Sequence, residues 1–307
     1  MTVSTALRSR CLGAFREACR YDVLAFKPGN VSLGRAGHGM EAVDFLRSAA
    51  AATPRLMGPE GRVGLDILGA VRATRRAVGC NTNLGILLLA APLLKASALL
   101  FGTPCPTGPG AASGLRASLG EVLAATTRQD SADVFAAIRL ANPAGLGSAP
   151  EEDVHRRPKL ALQEVMRLAA HRDRIAAQYV THYRDVFVLG LRCLEGTTAS
   201  GASLTDAVTD CYLTFLSQRL DSHVLRKWGR TAASRVREEA AAVAAALKAC
   251  ENRRRRMVLL STLDRVLKRE GLNPGTSADL TVASLLAFLL IRSGGYPPPV
   301  TQGMTGK

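Results

Sequence analysis

Aromatic side chains are scarce, at 5% of the 307 residues, with a single tryptophan. A core of this size must therefore be built from Leu, Ala and Val, and Ala and Leu favour helices. No stretch alternates apolar and polar residues with period two, which excludes a convincing sheet. The seven cysteines, Cys11, Cys19, Cys80, Cys105, Cys193, Cys211 and Cys250, are odd in number and include no Cys-x-x-Cys. That rules out a disulfide framework and a zinc-finger spacing, and reads as small buried hydrophobes in a reducing compartment. There is no GxxxxGK[ST], no GxGxxG and no HExxH, so ordinary P-loop phosphotransfer, nicotinamide chemistry and zincin chemistry lack their motifs. Arg8, Arg10, Arg16, Glu17 and Arg20 interrupt the N-terminus, leaving no signal-peptide core. The most apolar stretch, Leu84 to Phe101, is broken by Pro92 and Lys95, and Thr281 to Ile291 is shorter. Both read as core helices, not membrane spans, and the cytoplasm is the expected compartment.

What is present is positive charge, +15 at neutral pH with a pI near 10.1. Such a field favours a polyanion: nucleic acid, anionic lipid or a small molecule bearing several phosphates. The basic residues are spread along the chain and no aromatics interleave with them, which disfavours nucleic acid. The run Arg253 to Arg256 points around most of a helix and reads as solvated surface.

Helical spacing recurs. Ile175, Tyr179, His182, Val186, Leu189 and Cys193 step by 4 and 3, predicting one continuous helix face with His182 as a core histidine. Helices are expected at 5–25, 41–52, 63–79, 84–100, 116–127, 131–141, 159–195 with a break near His171, 203–219, 222–229, 231–251, 254–270 and 278–293. Gly102–Gly114 and Asn142–Pro158 are loops by composition, and the second is long enough to cover a site. The expected fold is all-α: a single-domain multi-helix bundle over 1–293 with site loops at helix ends, followed by a Pro/Gly-rich tail over 294–307.

Four short polar clusters could carry chemistry. Lys27-Pro28-Gly29-Asn30-Val31-Ser32, followed by His38 and Glu41, has a turn whose backbone N–H groups could form an anion nest. Asn81-Thr82-Asn83-Leu84-Gly85 opens the most apolar helix, and its amides could cap that helix or hold a phosphate. Asp221-Ser222-His223 precedes Arg226-Lys227-Trp228-Gly229, so a carboxylate, an imidazole and two cations lie within nine residues. Asp221 could cap a short helix that Gly229 ends, or bind a metal, with Arg226 gripping a phosphate. Asn273-Pro274-Gly275-Thr276-Ser277-Ala278-Asp279-Leu280 opens the last helix, with Ser277 as its expected N-cap.

In this order the clusters resemble the triphosphoribosyl-dephospho-CoA synthase family. The resemblance rests on Lys27-Pro28-Gly29, His38, Asn81-Thr82 with Gly85, Asp221 with Arg226, and Pro274-Gly275 with Ser277-Ala278-Asp279-Leu280, and runs from about residue 20 to 290. It implies an all-helical transferase that joins ribose C1 of ATP, or a related phosphoribosyl donor, to a hydroxyl of 3′-dephospho-CoA with loss of adenine. It further implies Mg²⁺ near Asp221 and Asp279, and phosphates on Lys27 and Arg226. Asp221, Asp279 or Glu41 would be the base and His38 the acid on the leaving group. Gly29, Asn30, Ser32, Asn81, Thr82, Asn83, Gly85, Lys227, Gly275, Thr276 and Ser277 would line the nucleotide site. The family's His-Lys after Asn-Thr is Asn83-Leu84 here, and the Asp two residues after its His is Met40. Those forms look like a divergent branch from methanogens and methylotrophs, which raises a tetrahydromethanopterin precursor as an alternative phosphorylated acceptor. A homodimer is compatible with the sequence. The rival readings are a helical nucleic-acid-binding module and a non-catalytic partner-binding protein.

Overall fold

The computed structural model describes residues 3–101, 110–250 and 252–293, and among them there are helices and no strands. The order is α1 Thr5–Leu24, α2 Ala42–Ala52, α3 Val63–Val78, α4 Leu84–Phe101, α5 Ala111–Ala124, α6 Arg128–Ala141, α7 Leu162–Ala169 and α8 Arg174–Thr181. A wide π turn, Val186–Leu191, then leads into α9 Arg192–Ala199, α10 Leu204–Gln218, α11 Ser222–Lys248, α12 Arg253–Arg269 and α13 Gly275–Ser293. The all-α single-domain expectation holds. The tail 294–307 and most of the 102–114 loop lie outside the described residues.

Helices α4 and α13 run through the middle, packed on each other and on α1. Both are apolar around the whole circumference, which suits burial on all sides. They are long and apolar enough to cross a membrane, yet 72% of each is buried inside the protein, so they are core helices. Pro92 sits inside α4 and cannot donate to the Leu88 carbonyl one turn back. The Tyr179 hydroxyl supplies the missing donor, at 2.7 Å from Leu88 O, and the Tyr183 hydroxyl donates to Leu89 O at 3.2 Å. Two fully buried tyrosines thus satisfy a helix that its own proline would leave short of a hydrogen bond.

Three expectations need correction. The 159–195 segment has the expected break near His171 and a second one that the spacing did not predict. It breaks after Ala169, where the Asp173 side chain caps α8, and again at His182 and Tyr183, both with positive φ (48° and 54°). The 4-3-4 spacing survives because both sides of the second break face the same core. His182 is consequently not in the core. It is the exposed residue that closes α8, and its carbonyl accepts from Arg116 Nε. The last helix starts at Gly275, so Ser277 lies inside its first turn and is not the N-cap. The expected division near Gly229 is present: α11 is broken there by φ 82°, ψ 175°.

Helices α10 to α13 enclose a second apolar cluster around Leu216, Val236, Leu263 and Leu267. It ties the α11–α12 hairpin to the body and sets the starts of α11 and α13 side by side.

Candidate active site

The four polar clusters, up to 250 residues apart in sequence, converge on one cavity of about 750 Å³. Its polar end is made by Asn30 and His38, by Asn81 to Gly85 at the start of α4, by His223, Arg226 and Lys227 at the start of α11, and by Gly275, Thr276 and Asp279 at the start of α13. Three helix N-termini therefore face the same space, each with partial positive charge. The long loop after α6, from Asn142 to Val154, forms one wall.

Several motif residues stand behind that wall. Asp221 is the N-cap of α11, and its Oδ1 accepts from the N–H groups of His223 (2.9 Å) and Val224 (3.0 Å). Its Oδ2 accepts from the Ser277 N–H (2.7 Å) and hydroxyl (2.9 Å). Four donors saturate this buried carboxylate, which does not line the cavity. Burial pushes its pKa up, against the pull of those four bonds. The geometry makes Asp221 and Ser277 the staple between α11 and α13, not the free metal ligand and phosphate donor expected.

Lys27 is fully buried and paired with Asp22, Nζ to Oδ1 at 2.9 Å, and it also donates to the Asp22 carbonyl. It does not reach the cavity; Asp22 does. The expected anion nest at Gly29 is filled from within, since Gly29 N–H donates to Asp264 Oδ1 at 2.8 Å. Ser32 is buried behind the same wall, and Glu41 is exposed at the start of α2, outside the cavity. The common reason is that turns and helix starts spend their polar groups on their own backbone first.

The lining residues divide by whether they are spent. Asn30 Nδ2 donates to Asn273 Oδ1 (2.9 Å), and Thr82 Oγ1 donates to Ser48 Oγ (2.6 Å). Asn81 Oδ1 accepts from the Leu84 N–H (3.2 Å), which makes it the cap of α4. Thr276 Oγ1 accepts from the His223 N–H (3.1 Å). His38, with φ 56°, places Nε2 2.9 Å from the Gly29 carbonyl. Arg226 donates to Ala144 O (3.1 Å) on the cavity loop and pairs with Asp173 (3.4 Å).

Asn83 and Asp279 are among the unspent groups. Asn83 is 5% exposed, and its buried Nδ2 has no partner. Asp279 has no hydrogen-bond donor among the described residues and lies hard against α4: a Cβ on Gly85 would sit 2.1 Å from its Oδ2. Burial pushes its pKa well above the usual carboxylate range, and Asp22, Asp221 and Asp173 push it further while Arg226 opposes. His223 is the reverse case. Burial and its neighbours Arg226, Lys227 and His38 hold its imidazole down at about 4, so it is neutral at physiological pH.

Despite the net charge, acids outnumber bases in the lining. Asp22, Glu151, Glu152, Asp153, Asp173 and Asp279 face Arg172, Arg226 and Lys227. Asp22 and the loop acids Glu151, Glu152 and Asp153 were not read from sequence as lining residues. Asp22 stands alone in an otherwise ordinary helix, and only the fold brings it to the cavity. No group of three or more His, Cys, Asp or Glu among the described residues is arranged to hold a metal. Asp22 and Asp279 both line the cavity and carry the oxygen donors that a hard cation takes.

No curated protein matches the sequence. Among solved structures, a protein from Archaeoglobus fulgidus described as a triphosphoribosyl-dephospho-CoA synthase superposes with a TM-score of 0.61 at 26% identity, covering 80% of this chain and 97% of that one. The CitG family, ATP:dephospho-CoA triphosphoribosyl transferase, matches residues 9–297, which is nearly the whole chain and all four clusters. The chain belongs to the CitG family of transferases.

Proposed function

We propose that this enzyme transfers the triphosphoribosyl unit of ATP to the ribose hydroxyl of 3′-dephospho-CoA. The observation that carries the reading is the convergence of the four motif clusters on one cavity. In the reaction the bond between ribose C1 and adenine breaks, and C1 bonds to the acceptor oxygen. The acceptor proton is lost and the departing adenine gains one, so charge and atoms balance. The transition state is like an oxocarbenium ion, as in glycoside chemistry.

Arg226 and Lys227, with the N-termini of α4 and α13, would supply the groups for the triphosphate. A phosphate at Arg226 exchanges for its present bonds to Ala144 and Asp173. Asn83 offers its free amide to the same end. Asp22 and Asp279 would hold Mg²⁺ against phosphate oxygens, and the ion would neutralise charge that the acidic lining otherwise repels. Asp279 keeps a second oxygen for the acceptor proton. His38, on exchanging its contact with the Gly29 carbonyl, would protonate the leaving base, and the neutral His223 would donate a hydrogen bond. Fixed dipoles from three helix ends supply the electrostatic part of the acceleration.

The test is mass spectrometry of products from ATP and Mg²⁺ with 3′-dephospho-CoA, and in parallel with a tetrahydromethanopterin precursor. Adenine released only with dephospho-CoA, and a product carrying the intact triphosphate, is the expected result. Release only with the pterin would move the acceptor; no release with either would sink the transferase reading of this cavity. Saturable nucleic-acid binding in place of turnover would favour the rival reading from charge.

A further inference from the structure

The polar end accounts for only part of the cavity. Beyond Gly85 the lining changes to Val134 and Ile138 from α6, Val165 and Met166 from α7, Ile175 from α8 and Leu146 from the loop. No motif in the sequence points to these residues. On α7 the lining positions are Leu162, Val165, Met166, Leu168 and Ala169, so one broad face of a short helix is turned to the slot. α7 packs on both α6 and α8, which makes the slot three-sided.

The junction between the two ends is defined. A Cβ on Gly85 would lie 2.1 Å from Asp279 Oδ2 and 2.8 Å from Ile175 Cδ1. The first residue of the slot and the unspent carboxylate of the polar end therefore touch the same point on α4. A ligand with a charged half and a flat apolar half would cross there.

We infer that the apolar slot between α6, α7 and α8 seats the heteroaromatic base of the donor nucleotide, so that the bond between base and ribose lies beside Gly85 and Asp279. The inference rests on the ribosyl-transfer reading and adds to it the part of the substrate that no motif marks. Three observations favour a nitrogen heterocycle. The walls are apolar and suit the faces of a ring. The loop beside them carries Glu151, whose carboxylate repels phosphate and can accept hydrogen bonds from amino groups, and Glu152, whose carboxylate accepts from the Lys159 N–H. The slot also opens directly onto the phosphate end, so base and phosphates are reached by one molecule.

Both ATP and dephospho-CoA carry an adenine, so the experiment separates them. Calorimetry on the intact protein would compare ATP, inorganic tripolyphosphate, adenosine and dephospho-CoA. In the wild type, adenosine is expected to compete with ATP and to leave tripolyphosphate affinity unchanged. Ile138→Trp, which fills the slot from a partly exposed position, is expected to raise the ATP dissociation constant at least ~10-fold. Tripolyphosphate and dephospho-CoA should stay within about twofold on the same reasoning. Glu151→Gln, on the exposed loop where folding is not at stake, should lower the ratio of ATP to tripolyphosphate affinity. A slot that seats the acceptor instead would show the loss in dephospho-CoA and not in ATP, and that overturns the assignment. Adenosine that never competes with ATP also overturns it. Wild-type protein that binds neither ATP nor tripolyphosphate overturns the transferase reading itself, a result distinct from either.

Discussion

Gly85→Ala places one methyl group at the point where α4, α8 and α13 meet. Two opposed effects decide its outcome. Alanine gains about 1 kcal/mol over glycine in a helix. Against that, the new Cβ would meet Asp279 Oδ2 at 2.1 Å, its Cγ at 2.5 Å and Ile175 Cδ1 at 2.8 Å. Overpacking of this kind costs ~1–3 kcal/mol. Net destabilisation is then at most ~2 kcal/mol, or a fall of a few degrees in Tm for a chain of this length. Activity should respond far more strongly. To reach ordinary contact the Asp279 carboxylate must move by more than about 1 Å, and a displacement of that size at a reacting group costs ~100-fold in rate. The assay is kcat for adenine release beside a thermal melt. Near-normal kcat with an unchanged melt would show that Asp279 is not at the reaction centre, because the methyl group cannot enter without moving it.

Asp221→Asn should act on stability before chemistry. It removes two of the four acceptor bonds and turns an amide N–H₂ toward the Ser277 N–H or the α11 start. A lost cap and a buried unsatisfied donor together cost ~2–5 kcal/mol, read as a lower denaturant midpoint. Lys27→Met leaves Asp22 buried without its partner and should cost ~3–5 kcal/mol, with ATP affinity of the folded fraction close to wild type. A large rise in the ATP dissociation constant at unchanged stability would return Lys27 to the phosphates. The pH dependence of stability separates two other groups. Asp66 is raised by burial to about 6 from 3.8, so its folded form prefers the proton; its contribution is full below pH 4 and is lost as pH rises through 6. His223 is lowered to about 4, so its contribution is full above pH 6.5 and is lost as pH falls toward 4. Each shift is worth ~3 kcal/mol, and over pH 4–6.5 the two oppose. Relative to wild type, Asp66→Asn should therefore gain stability as pH rises through that window, and His223→Gln should lose it. Parallel curves for either variant would contradict the assigned shift.

The fold was legible where burial is uniform. Leu84 to Phe101 is apolar on every side, and no other placement satisfies it than the centre of the bundle. What could not be read is how Pro92 is tolerated there, because the compensating hydroxyls of Tyr179 and Tyr183 come from about 90 residues away. The 159–195 segment misled for a related reason. Periodicity reports which face is buried, and the face stays in phase through the turns at Asp173 and His182 although the backbone does not. Only the positive φ of His182 and Tyr183 marks the break, and neither residue type announces it.

The site divides along the same line. Helix caps and phosphate sites call on the same residues, Asp, Asn, Ser, Thr and Gly, because both present an oxygen or an N–H to the other at a helix start. The motifs therefore located the cavity correctly and could not say which atoms were already used. Gly29 is spent on Asp264, 235 residues distant; Asp221 on Ser277, 56 distant; Lys27 on Asp22. Net charge misled in the same way. Thirteen of the 40 Lys and Arg residues lie on α11 and α12, while the cavity lining carries twice as many acids as cations. The positive field can draw a polyanion toward the protein. It does not reach into the cavity lining, where burial, and then Asp22, Asp221 and Asp173, keep Asp279 reluctant to ionise. In the proposed reaction, the charge of a phosphate-bearing substrate would have to be met by Arg226, Lys227 and a divalent cation together. Of the residues singled out from sequence, Asn83, Arg226, Lys227 and Asp279 line the cavity, whereas Lys27, Gly29, Asp221 and Ser277 stand behind its wall.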